Sequence, residues 1–321
     1  MAVNTSPSAT ADAPAEPHSG GSLVRSRRAR SSRLAPWLFL TPWLIGLVVI
    51  TLGPMVASLY LSFTDYNLIG RMNWVGLANY DRMLTSDPRF TSAALVTLRY
   101  VIISVPVQLA FALLLATLLN RGLRGLAFYR SVYYLPSLLG SSVAVALLWR
   151  QIFGGQGLVN TALSALGFEN LPNWIASPSY ALGTLIILNV WTFGSPMIIF
   201  LAGLRQIPTE LYEAASVDGA NAWSRFWRIT IPMLTPVIFF NLVLQMINAF
   251  QTFTQAYIVS GGSGGPVDST LFYTLYLYQK AFTDFDMGYA SAMAWLLLVV
   301  IALFTAAAFL TSRYWVHYDG E

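Results

Sequence analysis

Six long apolar stretches constrain this chain more than any other feature. They fall at about 36–61, 94–118, 131–153, 180–203, 231–257 and 289–311. Each is near or above the roughly 20 residues a helix needs to cross a bilayer core. A helix pairs its own N–H and C=O groups inside lipid, so the pattern predicts an all-α integral membrane protein of six transmembrane helices. Only 10% of the 321 residues are charged and 56% are hydrophobic, whereas a soluble domain carries about 25% charge. Pro136 in the third stretch, and Gly194 and Pro196 in the fourth, predict kinked or irregular helices there. The chain has no cysteine, which excludes disulfides, thiolate metal sites and cysteine nucleophiles.

Residues 1 to about 34 are a different material: Ala, Ser, Pro and Gly, then Arg25, Arg27, Arg28, Arg30 and Arg33. Such a segment buries too little apolar area to order itself. Arginines beside a span read as a topology signal rather than a nucleic-acid arm. The apolar run that follows is too long for a signal peptide and lacks a small-x-small cleavage site, so it reads as a retained signal-anchor. With the N-terminus inside, twelve of the eighteen Lys and Arg fall on the cytoplasmic side: the five in the tail, then Arg121, Arg124, Arg130, Arg205, Arg225, Arg228 and Arg313. Arg71, Arg82, Arg89, Arg99, Arg150 and Lys280 fall outside. This bias predicts both termini inside and a cytoplasmic loop over 204–232.

That loop is one of the few polar segments. Pro208 suits a first helical position, with Glu210 near the positive end of the helix dipole. Gly219 suits a left-handed helix stop. Trp223, Phe226 and Trp227 share one face before Pro232. Beside the acid Glu213 lies a small-residue ridge, Ala214-Ala215, which allows a partner surface to come close.

Glu213-Ala214-Ala215, then Gly219, then Ile229 and Pro232 reproduce a spacing: EAA, three residues, Gly, nine residues, Ile-x-Leu-Pro. The chain resembles the membrane subunits of binding-protein-dependent ABC importers, for which that spacing is diagnostic. It departs only at Ile231, where the pattern has Leu. Phe63-Thr64-Asp65-Tyr66, Trp74 through Tyr80, Tyr133-Tyr134-Leu135-Pro136, Gly264-Gly265-Pro266 and Trp315-Val316-x-Tyr318 are similar to the carbohydrate-uptake branch, which includes maltose-type and glycerol-phosphate-type permeases. The resemblance runs from about residue 36 to the C-terminus. It implies a type I ABC importer (MetI-like) permease fold in a bacterial-type inner membrane, crossed several times. It further implies that Glu213, Ala214, Ala215, Asp218, Gly219 and Pro232 couple the chain to an ATPase. The implied partners are a second homologous permease subunit, two ATPase subunits, an extracytoplasmic sugar-binding protein and membrane lipid, with no nucleic acid. ATP-Mg would be bound by the partner subunits and no cofactor by this chain. The glycine run Gly261-Gly262-Ser263-Gly264-Gly265 lacks the Gly-Lys-Ser/Thr of a phosphate loop and reads as a mobile turn.

The six stretches hold no Asp, Glu, Lys or His, and Arg99 and Arg150 lie at span ends. A proton- or sodium-coupled carrier needs ionisable groups in the membrane, and an intramembrane enzyme needs an acid, a base or metal ligands. Both readings are disfavoured. A purely structural membrane protein would need neither the loop nor a polar face. In the fifth stretch Asn241, Gln245, Asn248 and Thr252 recur at i, i+4, i+7 and i+11, one helical face. That face reads equally as a wall for sugar hydroxyls or as interhelical amide bonding. The resemblance favours the first, because maltose-type permeases bind sugar with this helix at the positions of Asn241, Gln245 and Asn248. In the fourth stretch Asn189, Trp191, Phe193 and Ser195 could add a polar edge and an aromatic plate. Gln108 stands alone in the second stretch and is assigned no role. The implied cargo is a di- or oligosaccharide; the alternatives are a glycerol-phosphate diester within the same class and, outside it, an ion-coupled sugar carrier.

Overall fold

The computed structural model describes residues 35–70, 72–120, 125–140 and 142–317. The basic tail and Tyr318 lie outside the described residues. By backbone contacts the chain divides into Met1–Gly53 and Pro54–Glu321. In the first unit, α1 (Ala35–Gly46) passes into a π-helical turn at Leu47–Leu52. Its large apolar side chains are exposed, Phe39 by 86% and Ile50 by 75%, as expected of a surface solvated by lipid.

The second unit contains α2 (Gly53–Leu61), α3 (Ala78–Thr85), α4 (Pro88–Leu119), α5 (Leu126–Leu139), α6 (Val143–Phe153) and α7 (Leu158–Ala165). It continues with α8 (Pro178–Trp191), α9 (Gly194–Leu204), α10 (Thr209–Val217), α11 (Ala222–Arg225), α12 (Ile231–Phe250), α13 (Thr254–Val259), α14 (Tyr273–Tyr278) and α15 (Met287–Ser312). Among the described residues no strand forms; one antiparallel bridge pairs Thr64 with Trp74.

Four helical runs are long and apolar enough to cross a membrane: Trp37–Leu61, Pro88–Leu119, Ala222–Phe250 and Met287–Ser312. The third and fourth expected spans are bent pairs, Phe128–Leu139 with Val143–Ala165 at 93° and α8 with α9 at 42°, which brings the number to six if each pair is one span. The breaks do not fall on the prolines. Pro136 lies inside α5, and that helix ends four residues later at Gly140; the fourth span breaks at Thr192–Phe193, just before Gly194.

Helix α4 is the centre of the unit and packs against α8, α9, α12 and α14. Ala93, Ala112 and Ala116 on it are fully buried. Small side chains let neighbouring helices approach closely, which matters in lipid, where dispersion rather than water exclusion drives helix association. Its start is set by Asp87, whose carboxylate accepts hydrogen bonds from the N–H groups of Arg89 and Phe90 ahead of Pro88. The span therefore begins at Pro88, six residues before the apolar run suggested. The other oxygen of Asp87 accepts from the Tyr276 and Tyr289 hydroxyls at 2.7 and 2.6 Å. Around this centre Arg82 pairs with Asp286, Arg89 with Asp268 and Lys280 with Asp284. Arg82 also lies over the Tyr289 ring, 4.5 Å from its centroid.

Candidate functional site

Two places in the second unit hold the residues that the sequence singles out. The first is a cavity of about 450 Å³ where the two helix breaks and the far end of α12 meet, within the roughly 300–1,000 Å³ of small-molecule sites. A helix break leaves orphan carbonyls on one side and orphan N–H groups on the other, and within a membrane these need partners. The Gln108 amide, on α4, donates to the Asn189 carbonyl at 2.9 Å, the Thr192 hydroxyl at 3.0 Å and the Thr192 carbonyl at 3.3 Å. The Ser137 hydroxyl, on α5, donates to the Thr192 carbonyl at 2.8 Å and accepts from the Ser195 N–H at 2.9 Å. Gly194 is required here, since a Cβ would run into the Tyr133 carbonyl and the Ser137 hydroxyl.

Asn189, Thr192 and Ser195 therefore reach the cavity from the break itself. Gln245 and Asn248 reach it from α12, and their amides make no hydrogen bond among the described residues. The wall is completed by Ser137, Gly140 and residues 251–255. Among the described residues no ionisable side chain lines it.

The other sequence candidates lie elsewhere. Asn241 is fully buried, and neither atom of its amide has a partner among the described residues. Trp191 packs 6.0 Å from Trp149, and Phe193 packs 5.0 Å from Phe111. Both rings sit behind the break, between helices, rather than in the cavity wall. Sequence reasoning missed Ser137 and Thr192 because it ran the third and fourth spans straight through their breaks, and Gln255 because it carried the fifth span on to residue 257. The helix in fact stops at Phe250, and α13 starts separately at Thr254. The Thr274 hydroxyl, from α14, takes the Thr252 carbonyl, and Gln255 turns back to the Gly140 carbonyl at 3.2 Å. No local signal announces that stop, because the partners come from distant helices.

The second place is the polar loop. Pro208 takes the N-cap position of helix α10, so the helix starts at Thr209, one residue later than expected. It ends where Gly219 takes φ +77°. The Ala220 N–H returns to the Ala215 carbonyl at 2.9 Å and the Gly219 N–H to the Ser216 carbonyl at 3.1 Å, the two bonds of a Schellman stop. The Asn221 side chain then caps α11 by accepting from the Ser224 N–H. Glu213, Ala214, Asp218 and Gly219 are exposed and Ala215 is half-buried. Val217 and Trp223 are 88% and 70% exposed.

Pro232 does not interrupt the helical run. A proline pushes away the carbonyl four residues before it, and here the turn Phe226–Thr230 widens to a π-helix in which the Ile231 N–H reaches back to the Phe226 carbonyl. The helix then continues through Pro232. Tyr212 bonds Thr230 at 2.9 Å and Arg225 bonds Ser216 at 2.6 Å, which ties α10 to the run formed by α11 and α12.

Comparison with known proteins agrees with this architecture. The chain is 52% identical over 299 residues to the probable ABC transporter permease protein YesP of Bacillus subtilis (strain 168), covering 93% of this chain and 97% of that protein. It is 35% identical to the lactose transport system permease protein LacF of Rhizobium radiobacter, covering 90% and 97%. In fold it matches a chain of a bacterial alginate ABC transporter, crystallised with an alginate pentasaccharide-bound periplasmic protein, with a TM-score of 0.75, 22% identity and coverage of 87% and 93%. The family model for the binding-protein-dependent transport system inner membrane component matches residues 83–315. With several helices apolar and long enough to cross a membrane and these matches over most of its length, the chain belongs to the family of binding-protein-dependent transport system inner membrane components, multi-pass membrane permeases.

Proposed function

We propose that the chain passes a di- or oligosaccharide through the cavity between its two helix breaks, driven by ATP hydrolysed on partner subunits. The observation that carries this reading is mechanical. The helical run Ala222–Phe250 has the loop at one end and Gln245 and Asn248 near the other. At about 1.5 Å per residue, its 29 residues span roughly 43 Å as one body. A push on α10 is delivered to α12 through Tyr212–Thr230 and Arg225–Ser216, and so moves one wall of the cavity.

In this reading the exposed face of α10, with Glu213, Ala214, Ala215 and Asp218, docks on an ATPase, and Gly219 lets it turn sharply back. Two ATPases holding ATP-Mg, a second permease and an extracytoplasmic sugar-binding protein complete the assembly. The Lys and Arg bias supports a cytoplasmic loop and both termini inside, in a bacterial inner membrane. The lactose relative and the amide-and-hydroxyl cavity support a carbohydrate cargo. A glycerol-phosphate diester would call for a cation in the wall, and none lines it.

The test is uptake by the reconstituted complex. Asn248→Ala and Gln245→Leu each remove a hydrogen bond of about 1 kcal/mol net, so the apparent affinity for sugar should fall roughly fivefold while assembly and basal ATPase persist. Dissociation of the complex with normal uptake would instead make these amides interhelical glue.

A further inference from the structure

Gln108 is 1% exposed in the middle of an apolar span, out of reach of anything in the cavity. An amide there is costly unless it is bonded, and Gln108 directs its bonds to the other helix that forms the cavity. Its NH2 group faces three oxygens, the Asn189 carbonyl and both oxygens of Thr192. That arrangement dictates which way round the amide sits, because the reverse would put its oxygen against two carbonyls. The Gln108 Oε1 is therefore aimed at Asn189 and accepts from its Nδ2 at 3.3 Å. With its NH2 engaged, the Asn189 side chain keeps an Oδ1 that accepts no hydrogen bond among the described residues, and Asn189 lines the cavity.

We propose that Gln108 is a positioning residue: it holds the break between α8 and α9 open and presents Asn189 to the cavity as a hydrogen-bond acceptor, without touching the cargo. This rests on the cavity being the transport site, but the first test does not require sugar. The chain has no cysteine, so Ser195→Cys, on the cavity side of the break, and Asn248→Cys, on α12, each provide a thiol unique within this chain, read on its own band against the cysteine-free parent. Both are labelled with a small cationic methanethiosulfonate in the assembled transporter in membranes. Gln108→Met keeps the volume and removes both the donor and the acceptor. It should change the labelling rate at Ser195→Cys by about fivefold or more, the equivalent of one lost hydrogen bond, and that at Asn248→Cys by less than about twofold. Unchanged labelling at Ser195→Cys, or an equal change at both positions, would overturn the proposal.

Gln108→Glu supplies the second arm. Ionised, it sets an oxygen against the Asn189 and Thr192 carbonyls; protonated, it mimics the amide, with an O–H donor and a C=O acceptor. Burial raises a carboxyl pKa. The Ser195→Cys rate in this variant should thus return toward the Gln108 value as the labelling pH is lowered from about 8 to about 6, after correction for the reagent's own pH dependence. A rate that stays displaced at every pH counts against the proposal, as does failure of both variants to assemble, which would make the amide a folding requirement alone.

Discussion

At the start of α4, Arg82, Arg89 and Lys280 each lie within 2.9 Å of a carboxylate, and Asp87 accepts two phenol hydroxyls and two backbone N–H groups. At its other end Leu114 and Thr117 border the polar loop, where Glu213, Asp218 and Arg228 have no ion-pair partner among the described residues. The first end binds together α3, α4, α14, α15 and the segment around Asp268, elements up to 204 residues apart in sequence. The loop is tied to its own helix by two side-chain hydrogen bonds, and its exposed charges have no ion-pair partner among the described residues. The loop leaves charge and large apolar side chains such as Val217 and Trp223 uncovered, which is the surface the proposed docking on an ATPase would use. The end closed by ion pairs is complete in itself. Substitutions should therefore damage folding at one end and coupling at the other.

The largest effect is expected at the loop. Gly219→Val places a β-branched residue at φ +77°, at a cost of about 1–3 kcal/mol in local strain. Nothing lies within 4 Å of the added Cβ, so the damage should stay local. ATP-driven uptake by the reconstituted complex should fall by an order of magnitude or more, with near-normal insertion of the chain. Wild-type uptake would remove the loop from the coupling path.

Next comes the opposite end. Asp87→Ala deletes a helix cap and strips two phenols of their acceptor. The expected loss is about 2–4 kcal/mol, read as a lower thermal aggregation midpoint in detergent, with uptake per folded complex preserved. An unchanged midpoint would mean that this end is no clasp.

A smaller effect follows from acid. Burial pushes the Asp87 carboxyl up, but the hydroxyls of Tyr289 and Tyr276, the Phe90 N–H and the Lys280 charge outweigh it and hold the group below its ordinary value. A lowered folded-state pKa favours the folded state above the unfolded value of about 3.9 and ceases to do so as pH falls through the folded value. The midpoint difference between wild type and Asp87→Ala should stay level from about pH 8 to 5 and shrink below about pH 4. Growth of that difference toward acid would contradict the sign.

The smallest effect sharpens the contrast. Glu213 is exposed and unpaired, so Glu213→Ala should shift the same midpoint by less than about 0.5 kcal/mol in equivalent stability. Its effect should appear only when the ATPase is present, as weaker co-purification. A large stability loss in the isolated chain would place Glu213 inside the fold.

The sequence by itself determined the membrane class, the regions of the four long spans and of the two bent pairs, and the local chemistry of the loop. These follow from nearest-neighbour physics: apolar length, a glycine free to take positive φ, and an asparagine or aspartate ahead of a helix. The Gly219 stop was legible in that way; the Asp87-Pro88 start carries the same kind of signal, but apolar length alone placed that span six residues too late. Tertiary structure alone decided where the third and fourth spans break, where α12 ends and which polar residues share the cavity. Gln108 looked isolated in one dimension, whereas in three it holds a helix 81 residues away. Trp191 and Phe193 looked like a plate for a sugar ring, but their helix turns them toward Trp149 and Phe111. Backbone groups freed at a break in lipid must find partners, and a partner on another helix leaves no trace in local sequence.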